Sequence, residues 1–371
     1  MKILVFSPYL YPCHYGGGEK YLFDIAKGLA LENHKVKIGV PARDDLNKED
    51  LISLKQSYEN FLGKSLAEVE FIFTPLWTQH NFVKKLWWTR QFDAIFYLSD
   101  GSFFFSLAKK NIVHIQFPLK IDHSSFINQL KLKNWGCKTT NSEFTKKIIE
   151  PSWPVKVDLV HQPMVDVDLF GRDLNFAKKE KNILNVGRFF SHLHAKRQDI
   201  LVEIFAKMRQ QDPETTKDWQ LVLIGNVEDE EYAKKVHQAA KNLPIKIIHQ
   251  CDRQSLINWF QRSSIYWHAT GYRINEEEEP QKVEHFGITT VEAMAAGNVP
   301  IVIGKGGQQE VVGEELQDWT WLTQADCMKN TLLMLRNQNL REKIQKMAQK
   351  RAQNFGPEVF QKKIKKMLEI V

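Results

Sequence analysis

Residues 284–297 read Glu284-His285-Phe286-Gly287-Ile288-Thr289-Thr290-Val291-Glu292-Ala293-Met294-Ala295-Ala296-Gly297. Two carboxylates bracket a turn, Phe286-Gly287-Ile288, and the opening of a helix. Thr289 or Thr290 supplies an N-cap. The small apolar run Val291, Ala293, Met294, Ala295, Ala296 predicts a helix buried on most sides. Gly297 stands where a helix C-terminus wants a left-handed residue. Unpaired amides at the helix start, reinforced by the dipole, make a seat for an anion such as a diphosphate. Glu284, just before that seat, would meet neutral hydroxyls beside the anion. Glu292, about two turns into the helix, would accept hydrogen bonds from a ribose diol. Either glutamate alone reads as well as a salt-bridged or solvated residue, whereas the whole string points to a ligand.

The string resembles the E-x7-E motif of retaining glycosyltransferases of family 4, with the Glu-any-Phe-Gly-aliphatic core complete from Glu284 to Glu292. That resemblance implies the GT-B fold, an α/β architecture of two Rossmann-like domains whose parallel sheets face across a cleft. It implies an acceptor-binding domain over residues 1–163 and a nucleotide-sugar-binding domain over 164–354. Residues 355–371 would form a last helix returning to the N-terminal domain.

Composition is compatible with this. A chain of 371 residues, 43% apolar and 26% charged, is that of a soluble globular protein with room for two cores. No apolar run approaches the roughly 18–20 residues of a membrane span. The segment Met1-Lys2-Ile3-Leu4-Val5-Phe6-Ser7 has one positive charge and too short a core for a signal peptide, and reads as a first buried strand. Cys13, Cys137, Cys251 and Cys327 lie far apart without a C-x-x-C, which fits a reducing, cytoplasmic setting. The net charge of +7 suits an anionic substrate or an anionic membrane surface. No recurring stripe of basic and aromatic residues points to nucleic acid.

In the first half, apolar runs at 3–7, 36–40, 70–73, 94–98, 112–116, 138–141 and 156–160 alternate with helical patterns, as in parallel α/β sheets. Gly16, Gly17 and Gly18 follow the first strand and precede a helix. Tyr21 stands where a G-x-G-x-x-G fingerprint needs its third glycine, and a Walker A loop is missing. A tight turn and a phosphate loop both remain open; the family resemblance implies that Gly17 and Gly18 line the cleft between donor phosphate and acceptor. Aromatic residues crowd positions 71–105, with Lys84, Lys85 and Arg90 among them. They read either as core plus a half-exposed helix or as a surface lying in a membrane interface. The second is the use that family members acting on lipid-linked acceptors make of this domain. His114 reads by itself as a satisfied core residue. By resemblance it is the cleft histidine that contacts the transferred sugar, and the run His114-Ile115-Gln116-Phe117-Pro118 resembles lipid-linked oligosaccharide mannosyltransferases.

The second half begins with a strand at 182–186 followed by Gly187-Arg188. Lys196 stands just before the next helix, with Arg197 as a competing candidate. The resemblance implies that Arg188 and Lys196 meet the donor diphosphate and offset the charge that grows on it as the glycosidic bond breaks. His192 and His194 read as loop residues. Asp166-Val167-Asp168 reads as interdomain linker rather than a metal-binding D-x-D. The loop 249–253 is where the nucleotide base is expected, and Glu276 to Glu279 reads as a solvated, mobile loop or lid. Gly306-Gly307-Gln308-Gln309-Glu310 resembles the family's supporting turn under the donor pocket.

The resulting expectation is a retaining hexosyltransferase, with mannose and a guanine nucleotide suggested by the surroundings of His114. Glu284, His114, Arg188 and Lys196 form the catalytic set. Gly17, Gly18, Arg188, Lys196, Glu284, Phe286, Gly287, Ile288, Thr289 and Glu292 bind the donor, without a metal or other cofactor. The acceptor is a glycan or a lipid-linked glycan, and the protein is cytoplasmic or peripheral on a membrane's cytoplasmic face. A nucleotide-sugar epimerase, a phosphorylase and a non-catalytic nucleotide-sugar-binding protein are the alternatives.

Overall fold

The computed structural model describes all residues except 12–15, 79–80 and 154. Its contacts divide the chain into two compact units, Met1–Met164 with Glu358–Val371, and Val165–Pro357.

Unit 1 runs β1 (Lys2–Phe6), α1 (Gly17–Leu31), β2 (Lys35–Pro41), α2 (Lys48–Leu62), β3 (Val69–Thr74), α3 (Phe82–Thr89), β4 (Ala94–Ser99), β5 (Lys110–Ile115), α4 (Phe126–Asn134), β6 (Cys137–Thr140), α5 (Glu143–Ser152) and β7 (Leu159–Val160). Its strands form one parallel sheet ordered β3-β2-β1-β4-β5-β6-β7. Helices cover the strands, so the central ones carry apolar residues at nearly every position; β4 is buried along its whole length. Tyr21, Phe23 and Tyr58 fill one core, and Phe6, Tyr97, Trp135 and Trp153 fill another.

Unit 2 runs α6 (Val167–Gly171), β8 (Asn182–Val186), α7 (Gln198–Gln211), α8 (Pro213–Thr216), β9 (Gln220–Ile224), α9 (Glu230–Ala240), β10 (Ile245–Ile248), α10 (Arg253–Arg262), β11 (Ile265–His268), α11 (Ile288–Ala295), β12 (Val299–Ile303), α12 (Gln308–Val312), β13 (Thr320–Trp321), α13 (Gln324–Arg336) and α14 (Gln338–Ala352). Its parallel sheet is ordered β10-β9-β8-β11-β12-β13, around a core that includes Phe205, Trp267 and Trp321.

A last helix, α15 (Pro357–Ile370), packs into unit 1. Phe360, Ile364 and Met367 are buried there. Ile364 lies so close to α1 that a Cβ on Gly28 would stand 2.2 Å from its Cδ1. Gln361 Nε2 donates to the Gly28 carbonyl at 2.9 Å. Lys110 Nζ donates to the Leu368 and Val371 carbonyls at the helix C-terminus, where a cation is favoured.

Cys137, Cys251 and Cys327 are free thiols, and Cys13 lies outside the described residues. Among the described residues no helix is long and apolar enough to cross a membrane. Residues 71–105 divide between core and surface: Phe92, Phe96, Tyr97 and Phe103 are buried, while Phe82 and Trp87 face outward.

Candidate active site

In unit 2 the strand order reverses between β8 and β11. At such a reversal the loops diverge and leave a crevice beyond the carboxyl ends of the strands. The segment 187–197 leaves β8 there, and the segment 269–287 leaves β11. Arg188, Lys196, His268 and Glu284 all issue from this edge.

The first segment is closed by its own contacts. Gln198 Nε2 donates to the carbonyls of Gly187 at 2.9 Å and Arg188 at 3.2 Å. Gly187 makes room for the Lys196 stem, since a Cβ there would stand 2.5 Å from Lys196 Cγ. Lys196 Nζ then donates to Glu284 Oε2. His268, the last residue of β11, brings Nε2 to 3.0 Å of the same oxygen, and Thr270 Oγ1 is 3.3 Å from that nitrogen. The side chains of Lys196 and Glu284 are 15% and 16% exposed and His268 is fully buried, so screening by water is weak. Burial alone would raise the Glu284 carboxyl, but Lys196 and then His268 hold it well below the usual carboxylate range. Burial lowers the His268 imidazole, and Glu284 opposes that fall.

Arg188 stands apart from this trio. Its Nη1 lies 2.9 Å from each oxygen of Glu228, and its Nη2 is 3.3 Å from His194 Nε2. Burial pushes the His194 imidazole down to about 3, with Lys196 adding to the fall. Arg197 adopts φ +54° and spends its guanidinium on Asp199 at 3.0 Å, so Lys196 is the residue that reaches Glu284.

Helix α11 begins earlier than either threonine would have it. Gly287, at φ +117°, is the N-cap, in place of Thr289 or Thr290. Glycine adopts that backbone at low cost, and a Cβ there would stand 2.7 Å from Gln308 Nε2. The amides of Ile288 and Thr289, in the first turn, have no acceptor within the helix and keep the character of an anion seat. The far end follows the sequence expectation: Gly297 has φ +69°, with Asn298 N on Ala293 O and Gly297 N on Met294 O, both at 2.9 Å. Thr289 Oγ1 accepts from Tyr266 Oη at 2.8 Å. Burial pushes the Tyr266 phenol up, and Glu284 and Glu292 add to that. Phe286 packs into the core edge-on to Phe355 at 5.4 Å, and Glu292 is 7% exposed.

The turn 304–307 supports Glu284 from behind. Gly307 N donates to the Glu284 carbonyl at 2.8 Å. Gly306 has φ +58°, and a Cβ on it would stand 2.3 Å from that same carbonyl oxygen. Within the acidic run Glu277 and Glu278 are exposed as expected, whereas Glu276 is tied down: its Oε2 accepts from Gly306 N at 2.6 Å. The expected base loop is short, with Asp252 capping α10 through Ser255 N.

In unit 1, Gly17 and Gly18 open α1, and a Cβ on Gly18 would stand 2.5 Å from Gln116 Nε2. His114, expected against the transferred sugar, is instead fully buried. Its Nδ1 lies 2.8 Å from Thr139 Oγ1 and 3.1 Å from Tyr21 Oη, and its ring stacks on Tyr21 at 4.1 Å. Burial holds its imidazole well below the ordinary value. Asp166 precedes α6 and Asp168 lies within it. Among the described residues no group of His, Cys, Asp and Glu is arranged to hold a metal. Sequence reasoning missed His268 and Glu228. The one signal for His268 in the sequence is its place at the carboxyl end of an apolar strand, which marks a site only once the strand order is known.

Comparisons with known proteins bear on the family and the fold. Residues 166–351 match the family model of glycosyl transferases group 1. A GDP-Man:Man(3)GlcNAc(2)-PP-Dol alpha-1,2-mannosyltransferase of Neurospora crassa is 26% identical over 210 residues, which cover 47% of this chain and 35% of that protein. A glycosyltransferase from Rickettsia africae ESF-5 superimposes with a TM-score of 0.73 at 17% identity, over 100% of this chain and 98% of that one. Anabaena HepE in complex with UDP and glucose gives 0.68 at 17% identity, over 100% of both chains. A S. aureus TarM variant in complex with fondaparinux, alpha-GlcNAc-glycerol and UDP gives 0.70 at 10% identity, over 99% of both.

Proposed function

The chain belongs to the group 1 glycosyl transferases, and from that premise we propose that it moves a mannosyl group, with retention, from GDP-mannose to a glycan or lipid-linked acceptor. The observation that carries this is the Glu284 carboxylate, held by Lys196 and His268 at the mouth of α11. A diphosphate on the Ile288 and Thr289 amides would put the donor sugar's hydroxyls within reach of Glu284 and the ribose toward Glu292. Lys196 and Arg188 would then offset the charge that develops on the departing diphosphate, so that the reaction needs no divalent ion. Without a paired acid and base, the departing phosphate oxygen takes the acceptor's proton in a front-face displacement. In this reading His114 acts through Tyr21 on α1, which it stacks against, rather than on the transferred sugar.

The choice of mannose rests on the Neurospora relative, which uses GDP-mannose. The HepE and TarM complexes, each with UDP, support the nucleoside-diphosphate class and keep uridine donors in the test. In this reading unit 1 holds the acceptor, and the outward Phe82 and Trp87 with their neighbouring lysines make a peripheral contact with an anionic membrane face.

A thermal-shift panel of GDP-mannose, UDP-glucose, UDP-galactose and UDP-N-acetylglucosamine tests the donor, because a ligand of the native state raises its stability. GDP-mannose should give the largest shift, and incubation with a dolichol-linked or polyprenyl-linked glycan should release GDP and form an α-linked product. Conversion of a donor to its epimer without nucleotide release would make the protein an epimerase. A thermal shift without nucleotide release or product would make it a non-catalytic nucleotide-sugar-binding protein.

A further inference from the structure

The segments that follow β3 and β4 in unit 1 enclose a cleft of about 340 Å³. That is the size of a small-molecule pocket, which starts at about 300 Å³. Trp77, Phe82, Leu86 and Phe104 are among its walls, together with Lys85 and Lys131. Phe82 meets Phe105 edge to face at 6.1 Å, and Trp77 meets Phe104 the same way at 6.4 Å. Among the described residues, the side chains that line it include donors, the two ammonium groups and the Trp77 indole N–H, and no hydrogen-bond acceptor. A peptide lying there would bring backbone N–H groups that these side chains could not satisfy. A hydrocarbon chain ending in an acceptor-only anion would leave nothing unpaired.

The surroundings point the same way. Val83 and Trp87 on α3 are 58% and 57% exposed, and Phe126 and Ile127 on α4 are 77% and 61% exposed. Leu132 is the buried residue of α4, so that helix turns its apolar side chains outward. Lys84, Lys85, Lys131 and Lys133 lie on the two helices, which carry no carboxylate. Apolar side chains interleaved with cations suit the head-group region of an anionic bilayer.

We propose that this cleft seats the hydrocarbon chain of a phosphate-bearing lipid drawn from a bilayer, with Lys85 and Lys131 on its phosphate. Naming that lipid as the acceptor's carrier rests on the glycosyl-transfer reading, but its binding does not.

The test uses the full chain without any nucleotide sugar, so it succeeds or fails apart from the transferase reading. Geranylgeranyl phosphate, geranylgeraniol and inorganic phosphate are titrated in detergent while tryptophan fluorescence is followed. The phosphate lipid should bind saturably and at least about tenfold more tightly than the alcohol, the factor of one charge-assisted contact. The K85A/K131A double variant should lose about that factor at an unchanged melting temperature. Leu86→Trp, which fills the cleft, should abolish binding of both lipids. Equal affinity for alcohol and phosphate, full competition by inorganic phosphate alone, or undiminished binding in the double variant would overturn the proposal. So would a dimer in solution that Phe126→Asp breaks and that blocks the lipid, since the face would then belong to a second copy.

Discussion

Lys196 and His268 converge on the same oxygen of Glu284, Lys196 through Nζ and His268 through Nε2 at 3.0 Å. Lys196 therefore has an anionic partner before any donor arrives. In the proposed reaction an incoming diphosphate would compete with Glu284 for that ammonium, while His268 would keep the carboxylate aimed as Lys196 shifts.

Glu284→Ala should fold and should lower kcat/KM with GDP-mannose at least about tenfold, a transition-state loss of roughly 1.4 kcal/mol. Its melting temperature should drop modestly, because Lys196 and His268 lose their shared partner. Steady-state kinetics beside a melting curve measures both, and wild-type turnover would remove Glu284 from the mechanism.

Acid stability follows from the same pair. A carboxyl whose folded pKa is depressed adds stability that is complete above its unfolded value, about 4.3, and is lost as pH falls through the folded value. Urea midpoints of the wild type should fall more steeply below about pH 4 than those of Glu284→Gln. Parallel slopes would contradict the coupling to Lys196 and His268.

Lys196→Ala and Arg188→Ala should each cost roughly 10- to 100-fold in kcat/KM, the scale of one lost stabilising cation. Arg188→Lys should not restore the rate, since a point charge lacks the planar fork. Glu228→Gln, which frees Arg188 from its present partner, should tighten binding of the nucleoside diphosphate in calorimetry.

Gly306→Ala forces a Cβ against the Glu284 carbonyl in a left-handed conformation. It should destabilise by about 1–3 kcal/mol and lower turnover by moving Glu284. Gly304→Ala, whose nearest neighbour would be Thr320 Oγ1 at 3.1 Å, serves as the milder control in the same denaturation and rate assays.

Lys179 is half-buried, with its Nζ enclosed by the carbonyls of Gln261, Ser263 and Ala296. Burial pushes its ammonium down to about 7. The unfolded chain keeps a proton that the folded chain sheds, so stability should rise as pH climbs from about 7 toward 10. Lys179→Met, although less stable overall, should flatten that slope in pH-dependent denaturation.

Much of this architecture was legible because parallel strands buried on both faces leave unbroken apolar runs, as at β8 and β12. The Glu284–Glu292 string was legible because glycine, small apolar residues and carboxylates each have one comfortable place around a helix start. The start itself was misread. A threonine advertises a cap through its side chain, while Gly287 caps by a backbone angle that sequence does not display. His268 was hidden because a histidine ending an apolar strand looks like core until the strand order is known. Glu276 was taken for a solvated charge because its acceptor role depends on an amide thirty residues away. His114 follows the reading its own sequence surroundings give, a satisfied core histidine, since Tyr21 and Thr139 both lie within hydrogen-bond distance of its Nδ1.

The helix α15 joins a domain that the chain began more than three hundred residues earlier. During synthesis, unit 2 can therefore close while unit 1 still waits for Phe360, Ile364 and Met367 to emerge. Until then, the face of α1 around Tyr21 and Gly28 presents an open greasy seam to the cell, a place for a chaperone to hold and for a premature stop to expose.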